Sequence, residues 1–201
     1  MSTVETCEPF FELVRRYVDL DGDTMQLIAA HTGEVTFPSK HIVLRETSVC
    51  EKVHFVVSGL ARSYYTDCSG KTITWTFHYN NQASSTRELF AVDYRSFLNH
   101  EPSSIAIETL SEVNALTFTK TQINYLMEHS PAYERWMRKL NESAFLHMYD
   151  RAFALLTMDA AERYARLIKK EPHLLQMFPN HHIASYIGIA PQSLSRIRSQ
   201  R

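Results

Sequence analysis

The sequence predicts an α+β protein: an N-terminal antiparallel β-roll, one long helix, and a small C-terminal helical domain carrying a helix-turn-helix. Three observations lead there. Between Val35 and Phe118, short β-branched or aromatic segments alternate with turn residues at near-even spacing. After Thr119 the apolar period lengthens to that of a helix, and Ser130-Pro131 supplies an N-cap and a first-turn proline for a helix reaching about Leu156. From His181 onward, a small residue, a glycine and a proline follow in the order that two helices crossing at a tight turn require.

The N-terminal elements follow from local spacing. Phe10, Phe11, Val14, Val18, Met25, Ile28 and Ala29 recur at three- and four-residue intervals, which predicts two short helices broken around Asp19-Leu-Asp-Gly22. Strands are expected at Val35 to Phe37, Ile42 to Leu44, Val53 to Val57, Leu60 to Tyr65, Thr72 to His78, Ile105 to Leu110 and Ala115 to Phe118. Asp67-Cys-Ser-Gly70 reads as the turn of a hairpin. Asn80 to Asn99 is irregular and suggests a short helix or loop.

In the long helix, Tyr133, Met137, Leu140 and Ala144 stand at coiled-coil spacing, while Trp136, Phe145, Tyr149 and Phe153 widen the apolar surface. One face does not account for so much, so the helix is expected to pack on its own β domain and on a second copy, with Tyr133, Met137, Leu140 and Ala144 as the dimerisation seam. Asp159 then caps an amphipathic helix through about Lys170, and Pro172 and Pro179 bracket the connection to the last segment.

Composition narrows the function classes. At 201 residues and 44% apolar, the chain suits one large and one small domain. No apolar run approaches the roughly 20 residues a membrane span needs, and the N-terminus has neither a basic start nor an apolar signal core, so a cytoplasmic protein is expected. Cys7, Cys50 and Cys68 are scattered and odd in number, which reads as free thiols. The ten histidines form no metal-ligand spacing. Charge is uneven: residues 1–130 hold 16 acids and 10 bases (net −6), 131–171 hold 6 and 8 (+2), and 172–201 hold three arginines and no acid (+3). An acidic body with a basic tail fits contact with a nucleic-acid backbone.

Within the tail, Ala184 is small where helices cross, Gly188 falls at the turn, and Pro191 opens the second helix. Ile183, Ile187, Ile189, Leu194 and Ile197 supply the inward contacts. With Leu194 inward and about 100° per residue, Gln192, Arg196 and Ser199 point outward, flanked by Ser193 and Ser195. Gln suits adenine edges, Arg suits guanine, and Ser suits phosphates or bases, so this face has the chemistry of a major-groove reader.

Taken together, the chain resembles the Crp/Fnr family of bacterial regulators from about residue 20 to the end. The resemblance is carried by VHFVVSGLARSYY at Val53 to Tyr65, with a strand turn at Ser58-Gly59, and by IASYIGIAPQSLSRIR at Ile183 to Arg198. It implies a cyclic-nucleotide-binding-like β-roll sensor domain over 1–130, a dimerisation helix over 131–156, and a helix-turn-helix DNA-binding domain over 157–201. It also implies a homodimer that reads a pseudo-palindromic site in double-stranded DNA, gated by a small effector and working with RNA polymerase, with no membrane partner.

The ligand segment departs from that pattern. Where cyclic-AMP binders of the family carry an Arg followed by Ser or Thr, this chain has Pro102-Ser-Ser104, and Arg87 stands before Glu88 out of register. A buried phosphate without a guanidinium loses its main charge-assisted partner, so cyclic AMP is not the expected effector. Arg95, Ser103 and Ser104 remain as candidates for contact with another anion, and the sequence names no cofactor.

Two other readings stay open. One is a ligand-binding module whose helix-turn-helix mediates protein interaction. The other is a cupin-type enzyme holding a metal through His41, His54 and His78, whose spacing matches no metal signature and which leaves a non-enzyme as the expectation.

Overall fold

The computed structural model describes residues 2–81, 84 and 86–199, with the side chains at positions 86 and 87 left aside. Arg87 therefore lies outside the described side chains. The elements run α1 (Glu8–Arg15), α2 (Gly22–Ala30), β1 (Gly33–Phe37), β2 (Ile42–Leu44), β3 (Lys52–Ser58), β4 (Leu60–Thr66) and β5 (Thr72–Tyr79). They continue with α3 (Thr86–Leu89), β6 (Phe90–Ala91), α4 (Tyr94–Asn99), β7 (Ala106–Thr109), β8 (Val113–Thr119), α5 (Lys120–His129) and α6 (Pro131–Thr157). The C-terminal helices are α7 (Ala160–Lys170), α8 (Leu174–Met177), α9 (Asn180–Tyr186) and α10 (Pro191–Ser199).

Two four-stranded antiparallel sheets face each other, one in the order β1-β8-β3-β6 and the other β2-β7-β4-β5. Side chains alternate across each pleat, so Val53, Phe55, Leu116 and Phe118 of one sheet and Ala61 and Ile107 of the other enter the shared core. Helices α1, α5 and α6 close it. Phe10 of α1 lies 5.3 Å from the ring of Phe55, 5.1 Å from Phe118 and 5.0 Å from Trp136 of α6. A second core joins Phe77 and Tyr79 of β5 to Tyr164, Leu167, Leu174, Phe178 and Ile183 of the C-terminal helices.

The turns and caps follow local chemistry. The Asp67 carboxylate accepts from the amides of Ser69 (2.9 Å) and Lys71 (3.0 Å), and Gly70 takes φ +81°, closing the β4–β5 hairpin. Ser130 accepts from the Tyr133 amide at 3.1 Å and starts α6 at Pro131. Asp159 and Glu162 form a reciprocal capping box that starts α7. Two elements go beyond the sequence expectation. These are β6, which has only two residues, and α8, a single turn between Pro172 and Pro179.

The dimerisation seam needs correction. Tyr133 is 2% exposed and Leu140 3%, both inside the protomer's own core, with Met137 packed against the same core and Ala144 half-buried. On α6 the exposed apolar residues are instead Phe145 (69%), Leu146 (63%), Tyr149 (59%), Phe153 (53%), Leu155 (42%) and Leu156 (86%). At about 100° per residue, the centre of the Phe145–Tyr149–Leu156 stripe lies opposite the Tyr133–Trp136–Leu140 stripe. The physical reason is that both faces are apolar, and the β-roll took the one that holds Trp136.

Gly59, in the β3–β4 turn, has φ +96°, and a Cβ there would meet the Glu112 carbonyl oxygen at 2.1 Å. Gly59→Ala is expected to cost at least about 2 kcal/mol, combining left-handed strain with a backbone clash. Urea unfolding of the variant beside wild type measures it, and a loss under 0.5 kcal/mol, the ordinary surface value, would contradict this account.

Candidate nucleic-acid interface

The helix-turn-helix is built from its turn outward. Helix α9 ends in a Schellman motif, in which the Ile189 amide donates to the Ala184 carbonyl (2.9 Å) and the Gly188 amide to the Ser185 carbonyl (3.1 Å). Gly188 sits at φ +69°, as that motif requires. The remaining carbonyls at the turn are taken by two arginines from other helices. Arg163 of α7 donates to Ile187 (2.8 Å) and Gly188 (3.3 Å), and also to Met158 (2.6 Å). Arg151 of α6 donates to the Tyr186 carbonyl at 3.1 Å. Neither was singled out by the sequence, because a donor that caps a turn 24 to 35 residues away leaves no spacing signal.

Helix α9 rests on β5. Ring centroids of Phe77 and Phe178 are 4.0 Å apart and stacked, and the Ser185 hydroxyl donates to the Thr74 hydroxyl at 2.8 Å. Arg62 of β4, 5% exposed, is bound by Glu108 (2.6 Å) and reaches Nδ1 of His182 on α9 at 2.8 Å. A guanidinium only donates, so His182 accepts through Nδ1 and its ring is neutral. Burial, with Arg62 and His181 adjoining, lowers its pKa to about 4. Burial, with Lys52 nearby, lowers that of His54 in β3 to about 4 as well.

Helix α10 then presents its far side. Leu194 is 2% exposed and Ile197 half-buried, while Gln192, Ser195, Arg196, Arg198 and Ser199 are exposed and Ser193 is half-buried. Gln192, Arg196 and Ser199 thus share one outward face at four- and three-residue spacing. Arg196 makes no ion pair among the described residues, whereas Arg198 donates to the Asn180 side chain at 2.9 Å. Two cationic groups and a run of hydroxyls on an outward helix match phosphate and base-edge chemistry.

The effector trio does not converge. The Arg95 side chain is 76% exposed and pairs with Glu101 at 3.3 Å, and Ser104 is exposed. Ser103 is buried and donates to the Asp93 carboxylate at 2.6 Å. That carboxylate also accepts from the amides of Arg95 (3.1 Å) and Ser96 (3.4 Å), so a charge of the chain's own occupies the start of α4, and a ligand anion there would be repelled. The cavity beside it, lined by Val43, Cys50, His54 and Ile107, is about 180 Å³, below the ~300 Å³ of ordinary small-molecule pockets.

His41, His54 and His78 do not meet. His41 stacks on Phe37, His54 lies edge-on to the same ring, and His78 bonds Ser63 at 2.6 Å. No group of three metal-ligating side chains occurs among the described residues, nor any helix long and apolar enough to cross a membrane. All three cysteines are free, with Cys7 and Cys50 buried and Cys68 exposed.

The two lowered histidine pKa values set a pH dependence. Both rings stay neutral in the folded chain down to about pH 4 but take a proton near 6.5 when unfolded. The unfolded state therefore binds more protons in that window, and stability present above pH 6.5 is lost as pH falls toward 4. Thermal unfolding across a pH series should show that slope, and His182→Gln, which keeps an acceptor for Arg62, should flatten it by up to about one proton. An unchanged slope in the variant would contradict the assignment.

No family model and no curated protein matches the sequence, so the likeness to known proteins lies in the fold. FixK2 from Bradyrhizobium japonicum superposes with a TM-score of 0.66 at 17% identity, over 84% of this chain and 83% of that one. The c-di-GMP-responsive global regulator CLP of Xanthomonas campestris gives 0.64 at 14%, over 90% and 91%. A protein from Eubacterium rectale assigned to the crp/fnr family of transcriptional regulators gives 0.64 at 15%, over 90% and 83%. The chain has the Crp/Fnr-type fold: a β-roll, a long helix and a helix-turn-helix.

Proposed function

We propose that the chain is a homodimeric, sequence-specific DNA-binding transcription regulator that acts by binding and not by catalysis. The observation that carries this reading is the outward face of α10, where Gln192, Arg196 and Ser199 stand clear of the protein on a helix fixed by a Schellman turn. The likeness in fold to CLP, described as a global regulator that links cell-cell signalling to virulence gene expression, supports it.

The second copy belongs on the exposed face of α6. Phe145, Tyr149, Ala152 and Leu156 follow one another at 4-3-4 spacing, the seam pattern of a coiled coil, and stand exposed together. Two chains joined there would carry two recognition helices, which read half-sites about 34 Å apart, one helical turn of DNA. A small effector other than cyclic AMP, and contact with RNA polymerase at the promoter, complete the reading.

The test is genomic-fragment binding at two salt concentrations without added ligand. Wild type should enrich a two-fold symmetric site, with affinity falling as salt rises, and Arg196→Ala should weaken binding about 10- to 100-fold. Absence of salt-sensitive duplex binding would favour the protein-interaction reading. In parallel, Phe145→Glu with Tyr149→Glu should convert the dimer to a monomer in sedimentation, and a wild type that sediments as a monomer would remove the seam.

A further inference from the structure

A cleft of about 390 Å³ opens where α6, α7, β5 and α9 meet, within the ~300–1,000 Å³ of small-molecule sites. Ala154, Leu155 and Leu167 form its apolar wall. Among the described lining residues, Arg151, Arg163, Arg166 and Lys170 outnumber the carboxylates of Glu88, Asp150 and Glu171. The surplus has a location. Asp150 of α6 is shared by two cations of α7, Arg166 at 3.2 Å and Lys170 at 3.6 Å, and the Asp150 side chain is 57% exposed. Arg163 spends its donors on carbonyl oxygens and adds a full positive charge that pairs with no carboxylate among the described residues. The α7 wall is therefore electropositive, and Asp150, its one direct counter-charge among the described residues, is held loosely at the lip, where solvent screens it.

We propose that this cleft is an effector site for a small organic dianion. Its charged end takes Arg166 and Lys170 in place of Asp150, and its apolar body lies along Leu155 and Leu167. The exchange has a mechanical consequence. The Asp150 bridge ties α6 to α7 across the Met158-Asp159 junction, so a ligand that takes the two cations releases that tie. Arg163 lines the same cleft and caps the turn that leads into α10, which connects occupancy to the recognition helix. The regulatory consequence rests on the DNA-binding reading, whereas the binding itself is measured without DNA, so the two fail separately.

The experiment is isothermal titration calorimetry on the full chain at low ionic strength, with phenyl phosphate and phthalate as probes for a phosphate-bearing or a dicarboxylate ligand. Wild type should bind one of them at one site per chain. Asp150→Asn, which frees both cations, should tighten binding severalfold, and Arg166→Gln with Lys170→Gln should weaken it about tenfold or more. Circular dichroism checks that each variant is folded. Absence of binding of either probe to both wild type and Asp150→Asn would overturn the proposal. So would binding unchanged in the double glutamine variant, or an Asp150→Asn variant that binds no more tightly than wild type.

Discussion

Trp136 sits in a ring of aromatic side chains, 5.0 Å from Phe10 and 5.1 Å from Tyr133, with Phe90 at 6.4 Å, and this ring clamps α6 to the β-roll. Its indole N–H meets no acceptor among the described residues, a deficit of about 1–3 kcal/mol. Full burial of some 200 Å² of indole is worth about 5 kcal/mol, so packing outweighs the unpaired donor. Because α6 is one continuous helix from Pro131 to Thr157, fixing its first turns fixes where its last turns, and hence α7, begin.

The C-terminal helices are held by a different balance. Apolar contact between Phe77, Tyr79, Leu174 and Phe178 supplies the area, while Arg62, bound by Glu108 and His182, supplies the register. A buried ion pair contributes little net stability once desolvation is counted, but an unpaired partner would be costly. Arg62, fixed within the sheet by Glu108, reaches His182 of α9, and that hydrogen bond selects one seating of α9 on β5 over slid alternatives. Helix α10 inherits that seating through the Gly188 turn.

Much of this was legible in the sequence wherever the chemistry is local. Ser130, Asp159, Gly70 and Gly188 each act on backbone groups within five residues, and each took the role its residue type suggested. The outward placement of Gln192 and Arg196 followed from helical geometry and one inward leucine. What was hidden is tertiary. Two apolar stripes on α6 look alike in sequence, and only the fit of Trp136 against Phe10 decides which one is buried. The Asp93–Ser103 bond, which fills the start of α4 from within, joins residues ten apart across a loop whose path no periodicity encodes. Arg163 reads in sequence as one more charge on an amphipathic helix, yet it closes the helix-turn-helix.

The placement of the two tryptophans has an optical consequence. Trp136 is 1% exposed inside the aromatic core, whereas Trp75, midway along the edge strand β5, is 39% exposed, with the Arg151 guanidinium 5.4 Å from its ring. The two indoles thus sit in unlike dielectrics. Emission from the first is shifted to the blue and shielded from quenchers, and emission from the second is shifted to the red and open to them. Iodide or acrylamide would silence one before the other, so the chain carries separate built-in reporters for its roll and for the joint with its C-terminal helices.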